Sequence, residues 1–275
     1  MIGVSLSYDY LTTGEGYSVT PGRFLHMLGE RGVGSVELRT VRTDADPLEV
    51  KALAQIIRGR GMNVTVHAET RSVESAAEDV FFPLRAMLAS SDEKLNVTVH
   101  PVDGDNTAML RSLSEAAREM AGDRVTVALE NMRHDPTVGE IVLPDGKPEI
   151  AVGDCAMLVL DAVRGAREAG CDNVGICFDM GHYYYYSHKF GAPEVPCAEF
   201  MKYVVHTHIH AVTTKLRTHF PLGGYALTLA EYAAAMDGYR GIWNLEVDPL
   251  QRIPSGYAPE DAILKSVDVL NTVCR

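Results

Sequence analysis

Short apolar, β-branched runs alternate with longer stretches in which apolar residues recur every three to four positions, and the alternation repeats along the whole chain. Such a pattern predicts repeated strand–helix units feeding a parallel sheet. Strands are expected at residues 2–7, 35–39, 63–67, 95–100, 124–130, 173–179, 203–210 and 241–247. Helices are expected at 21–31, 47–60, 73–89, 108–121, 155–169, 197–203, 229–237 and 259–273. Pro21 and Pro259 suit first-turn positions, where a missing N–H donor costs nothing, and Gly32, Gly61, Gly122 and Gly170 fall where helices should stop. Eight strands, eight helices, no break in composition and no GxGxxG or phosphate-loop motif predict a single α/β domain over residues 1–275. Its architecture should be a closed (β/α)8 TIM barrel rather than an open doubly wound sheet. The one irregular insert, 133–153, carries Pro144-Asp145-Gly146-Lys147 between short apolar runs and reads as a hairpin over the barrel mouth, after the fifth strand.

Composition narrows the partners. The chain has 275 residues, 46% of them apolar and 23% charged, enough to bury a sizeable core. Its formal charge is −12 and no Lys/Arg cluster occurs, so a phosphate-tracking surface is not expected and nucleic acid is a poor partner. Residues 1–11 lack the basic and apolar regions of a signal peptide, and no apolar run approaches the roughly 20 residues that span a bilayer, which predicts a cytoplasmic protein with no membrane contact. Cys155, Cys171, Cys177, Cys197 and Cys274 form no CxxC pair and are odd in number, so no disulfide framework is expected.

Candidate chemistry lies where the strands end. Ionisable residues occur there at Glu37, His67, His100, Glu130, Asp179, His206 to His210 and Glu246. In a parallel barrel these ends converge on the carboxyl-terminal rim, where barrel enzymes place their chemistry. Glu130, Asp179 and Glu246 each close a separate apolar strand, and acids gathered so closely resist joint ionisation unless a divalent cation compensates them. His182, three residues past Asp179, should open the following loop as metal ligand or substrate contact. Period-two alternation sends His206, His208 and His210 to one side of the seventh strand at rising levels; His208 is favoured as ligand, His210 competes, and His206 should pack lower. Tyr8, Tyr10 and Tyr183 to Tyr186 are read as rim loops, suited either to stacking on sugar faces or to a subunit contact, and Trp243 as core.

At these positions the chain resembles the xylose isomerase-like barrels, a group holding sugar epimerases, keto-inositol dehydratases and hydroxypyruvate isomerases, with endonuclease IV-type abasic-site nucleases as cousins. The resemblance covers nearly the whole chain and rests on LEN at 129–131, FDMGH at 178–182, HIH at 208–210, HFPLGG at 219–224 and LE at 245–246. It implies that Glu130, Asp179, His208 and Glu246 hold one divalent ion, with Mn²⁺, Mg²⁺ or Co²⁺ suited to an oxygen-rich set and Zn²⁺ also accommodated. It implies that Glu130 and Glu246 double as acid and base on a sugar or polyol, moving a proton beside a carbonyl through a metal-stabilised enediolate. His67, His100, His182, His210, Arg217 and His219 are the candidates for substrate contact. The sequence departs from the family at Ala211, where an acid is common, and at Thr214, where ketose epimerase relatives carry an arginine that Arg217 could replace.

Three alternatives stand beside an isomerase or epimerase. A keto-inositol dehydratase-type lyase would use the same proton abstraction. An abasic-site nuclease would use His67, His100, Glu130, Asp179, His182, His208, His219 and Glu246 for a zinc cluster, but Arg217 occupies the place of one Asp ligand and cannot bind metal. A non-catalytic binding barrel would have no use for the paired glutamates. Relatives of this kind are often dimers or tetramers, so a homo-oligomer is compatible with the resemblance.

Overall fold

A computed structural model describes residues 1–133, 140–142, 148–150, 155–223, 229–248, 250 and 258–273. Eight parallel strands close into a barrel: β1 (Ile2–Ser7), β2 (Val33–Val41), β3 (Asn63–Ala68), β4 (Leu95–Val99), β5 (Val125–Glu130), β8 (Val174–Asp179), β9 (Val204–Ile209) and β10 (Trp243–Leu245). The expected insert contains an antiparallel pair, β6 (Glu140–Val142) and β7 (Pro148–Ile150), joined outside the barrel sheet; its Pro144 to Lys147 turn lies outside the described residues, as do Gly224 and Cys274. Each expected strand and helix is present with ends shifted by a few residues. The helices are α2 (Pro21–Glu30), α3 (Pro47–Arg58), α4 (Ala76–Leu88), α5 (Asn106–Ala121), α6 (Ala156–Glu168), α8 (Ala198–Lys202), α9 (Leu229–Ala235) and α10 (Pro259–Val273).

Period-two alternation divides the strand residues into two environments. Val4, Leu6, Val36, Leu38, Val64, Val66, Val97, Val99, Val127 and Leu129 join Phe24, Leu28, Ile57, Leu84 and Leu113 of the helices in one apolar cluster. The alternate positions, among them Ser5, Ser35, Glu37, Thr65, Thr98 and Asn244, are polar and equally buried. Inside the lumen Asn244 on β10 donates to Ser5 on the adjacent β1 and to Glu37 on β2, one strand further round. The lumen of this barrel is therefore a polar network, whereas branched aliphatic layers fill most such barrels.

Two helices run where loops were expected. Tyr8–Thr13 forms α1 directly after β1, and Met180–Phe190 forms α7 directly after β8. Neither has a polar stripe opposite an apolar one, because tyrosine fills both, so periodicity gave no helical signal. Capping supplies it instead: the Asp179 side chain accepts the His182 backbone N–H at 2.7 Å, and Gly14 and Gly191 end the two helices in left-handed conformation. Tyr8, Tyr10 and Tyr183 are buried in the core and do not stand on the rim, while Tyr184 to Tyr186 are half-buried along α7. Trp243 is buried, as expected. Cys171 and Cys177 are buried free thiols, Cys197 is an exposed one, and Cys155 is buried. No helix among the described residues is long and apolar enough to cross a membrane.

Candidate metal centre

Glu130 and Asp179 end β5 and β8, His208 lies near the end of β9, and Glu246 follows β10. All four are at most 3% exposed, and one ligand atom from each falls in a group whose members lie within 4.8 Å of one another. The His208 Nδ1 is 3.0 Å from a Glu130 oxygen and 3.2 Å from a Glu246 oxygen. Both oxygens of Glu130, Oδ2 of Asp179 and Nδ1 of His208 are buried without a hydrogen-bond partner among the described residues. Each such atom costs about 1–3 kcal/mol if nothing satisfies it. Three carboxylates and one imidazole gathered at one point, with unpartnered atoms on Glu130, Asp179 and His208, fit a divalent cation.

The orientation of His208 is set from below by Glu37. The Nε2 of His208 lies 3.0 and 3.2 Å from the two Glu37 oxygens, so Nε2 carries the proton and Nδ1 faces the carboxylates. Glu37 also accepts from Ser5, from Asn244 at 3.0 Å and from His206 at 3.0 Å. Burial would push its carboxyl up, yet His208 and His206 together hold it well below the usual carboxylate range. His206 thus sits beneath the site, as expected. Glu37 lies mid-strand rather than at a strand end, and the sequence reading gave it no role; its signal was an acid inside a buried strand.

His210 points elsewhere. Its Nδ1 accepts the His219 backbone N–H at 2.9 Å, and its Nε2 is 3.1 Å from the Asp179 Oδ1. Its ring occupies the space over Gly181, where an added Cβ would lie 1.9 Å from ring carbon Cε1. The glycine of FDMGH is required by that contact. Asn131 of LEN joins β5 to β8: its amide donates to the Asp179 carbonyl and accepts the Asp179 N–H, both at 3.0 Å, which fixes the carboxylate that caps α7.

Above the four residues lies a cavity of about 290 Å³ lined by Arg39, Thr40, His67, His100, Glu130, Met132, His182, His219, Glu246 and Asp248. A larger one of about 440 Å³ opens at the opposite end, lined by Asn63, Leu95, Asn96, Thr126, Val205 and Ile242 among others. It contains no cluster of acids and imidazoles, so chemistry rather than size selects the smaller cavity. His67 reaches Glu130 at 3.6 Å and Glu246 at 3.4 Å, while His100 reaches Glu130 at 3.5 Å. His182 begins a helix instead of a loop, with Nδ1 3.3 Å from Glu130 and 3.5 Å from Asp179. Arg217 is exposed, its guanidinium 5.5 Å from the centre of the Phe220 ring, and it does not line the cavity; Arg39 does.

A family profile described as xylose isomerase-like TIM barrel matches residues 26–273. The chain belongs to this family. No curated protein matches the sequence at a significant level. Among solved structures, a xylose isomerase domain protein from Alicyclobacillus acidocaldarius subsp. acidocaldarius is similar, with a TM-score of 0.62 at 16% identity over 99% of this chain and 97% of that one. A D-psicose 3-epimerase from Clostridium cellulolyticum H10 gives 0.59 at 14% identity, covering 99% of each chain. A D-allulose 3-epimerase from Methylomonas sp. gives 0.61 at 13% identity over 98% of this chain and 97% of that one. At such identities the likeness shows the shared fold.

Within this xylose isomerase-like barrel the electrostatics of the site are self-consistent. Burial raises the Glu130 and Glu246 carboxyls, but His208 and neighbouring imidazole hydrogen bonds outweigh it and hold both well below the ordinary range. Burial lowers His208, and its polar neighbours, Cys177 first and then Glu37, Glu246 and Glu130, more than reverse that, leaving it well above its usual value. His219 is driven well below its usual value by burial and by His210, so it stands neutral in the cavity wall at neutral pH. The Cys177 thiol, behind His208, is pushed up by burial and stays protonated.

Proposed function

We propose that the protein is a divalent-metal-dependent sugar isomerase or epimerase that moves a proton beside a carbonyl carbon. The observation that carries the reading is the convergence of buried ligand atoms from Glu130, Asp179, His208 and Glu246 beside a small cavity, with those of the first three unpartnered. The family and its epimerase structural neighbours support the reaction class. A cation bound there would offset the negative charge that develops on the substrate's oxygens as a proton leaves.

The protein's own groups supply the rest. Going round the barrel, β5 and β10 are separated by β8 and β9 on one side and by β1, β2, β3 and β4 on the other, so Glu130 and Glu246 approach a ligand from different sides. Both are held ionised, and each has an oxygen beside His208, so either can take a proton from its side of the substrate. In an isomerisation the same carboxyl, now protonated, gives it back; in an epimerisation the opposite glutamate first takes up a proton from solvent and then delivers it. His67 and His182 lie beside these carboxylates in the cavity wall and orient substrate hydroxyls. Solvent deuterium incorporation into ketoses tests the assignment. The parent protein should exchange a carbon-bound proton, chelation should abolish the exchange, and Glu130→Gln and Glu246→Gln should each slow it by about 10²-fold or more. Exchange at the parent rate in both variants sinks it.

One observation favours a second reading, hydrolysis at a multinuclear centre. His67, His100 and Glu130 form another potential ligand set, as do His182, His210 and His219. The charge of −12 opposes a nucleic-acid substrate. Metal analysis separates the readings, with one ion per chain expected for the isomerase and two or three for the hydrolase.

A further inference from the structure

We infer that Arg39 builds an anion subsite in the cavity beside the metal centre, so that the substrate carries an oxyanion, a phosphate monoester or a carboxylate, as well as its carbonyl. The inference rests on the isomerase reading for the reaction and on Arg39 alone for the charge. Glu37 and Arg39 share the inward side of β2 by alternation: Glu37 holds His208 from below, and Arg39 emerges one level higher, in the cavity wall with Glu130, His182, His219 and Glu246.

Arg39 is poised and unspent. Its Nη1 donates to the Val247 carbonyl at 3.1 Å, which ties the guanidinium to the segment following β10. Among the described residues it makes no ion pair, although Asp248 lines the same cavity and three carboxylates lie at its base. A guanidinium has five N–H donors in a planar fork matched to carboxylate and phosphate oxygens, so most of its donors remain for a ligand. The backbone is bent to present it. The pairing of β2 with β3 shifts register between Arg39 and Val41, and Thr40 adopts φ 61°, a conformation a β-branched residue rarely takes. Such outliers persist at ligand sites because their surroundings enforce them. An anionic substrate approaching a chain of net charge −12 also needs a local cation, which a neutral sugar does not.

The test uses the Mn²⁺-loaded protein and its Arg39→Gln and Arg39→Lys variants. Calorimetric titration with inorganic phosphate and with acetate reads binding without turnover. Solvent deuterium incorporation into D-fructose, D-fructose 6-phosphate and hydroxypyruvate reads selectivity. In the parent, at least one anion should bind saturably; Arg39→Gln should weaken it by about 10- to 100-fold, and Arg39→Lys by less. The kcat/KM of the anionic substrate should fall at least 10-fold further than that of D-fructose. Phosphate binding with D-fructose 6-phosphate exchange identifies a phosphate monoester, and acetate binding with hydroxypyruvate exchange a carboxylate. Anion binding that survives Arg39→Gln unchanged, or equal losses on charged and neutral substrates, overturns the subsite and leaves the isomerase reading standing. Arg39-dependent anion binding with no exchange on any substrate sustains the subsite and counts against that reading.

Discussion

His208 is held between two sets of carboxylates: its Nε2 lies 3.0 Å from Glu37 in the barrel lumen, and its Nδ1 lies 3.0 Å from Glu130 at the mouth. The lower contact fixes which nitrogen of His208 faces the mouth; His210 is held differently, its Nδ1 accepting the His219 N–H and its Nε2 lying 3.1 Å from Asp179 Oδ1.

Glu37→Gln should therefore weaken metal binding without removing any ligand. A neutral amide cannot hold His208, His206, Ser5 and Asn244 with the same charge, and the Nε2–H donor loses an ionised acceptor. Loss of an orienting partner of this kind typically lowers affinity about 10- to 100-fold. Competition against a fluorescent chelator measures it; an unchanged dissociation constant in a protein that melts like the parent would remove Glu37 from the site.

Much of this arrangement was legible along the chain, for a physical reason. Glu130 and Asp179 end buried apolar strands and Glu246 directly follows one, and a carboxylate in such a place needs a partner, so all three could be read as one site before any coordinates. Glu37 was harder because it lies within its strand, and only the closed barrel shows that the lumen is polar and that β2 faces β9 across it. Arg217 was expected to replace the arginine that ketose epimerase relatives carry where Thr214 stands, and Arg39 drew no notice in the sequence. Leu216 and His219 both take left-handed backbone, and in the turn they shape His219 enters the cavity while Arg217 stays in solvent. α1 and α7 escaped because tyrosine-rich stretches carry no amphipathic period; their caps, not their patterns, make them helices.

Gly181→Ala should disturb the site through His210. The new methyl would overlap the imidazole, which is fully buried and held by the His219 N–H, so either the ring or the first turn of α7 must shift. Overpacking of this sort costs about 1–3 kcal/mol, and here it also displaces the capping carboxylate Asp179, which His210 touches at 3.1 Å. Thermal denaturation with and without metal checks both effects. A melting temperature within error of the parent's would show that His210 relocates freely and that the glycine is dispensable.

Metal binding should release protons at neutral pH. In the metal-free protein Cys177, Glu37, Glu246 and Glu130 together hold His208 well above its usual value against burial, so at pH 7 its ring carries both protons. A cation on Nδ1 must displace one of them, whereas Glu130 and Glu246, lowered well below 4.5, are already ionised and release none. Affinity should then rise with pH by about tenfold per unit until His208 deprotonates in the free protein. For stability the sign is the usual one for a raised imidazole: the His208 ion pairs contribute fully below 6.5 in the metal-free protein and are lost as pH climbs through the folded value, so metal stabilises most on that alkaline side. Calorimetry at pH 7 in buffers of different ionisation enthalpy reads the release directly. A heat independent of buffer would mean that His208 is neutral before the cation arrives, and that the carboxylates do not control it as the geometry requires.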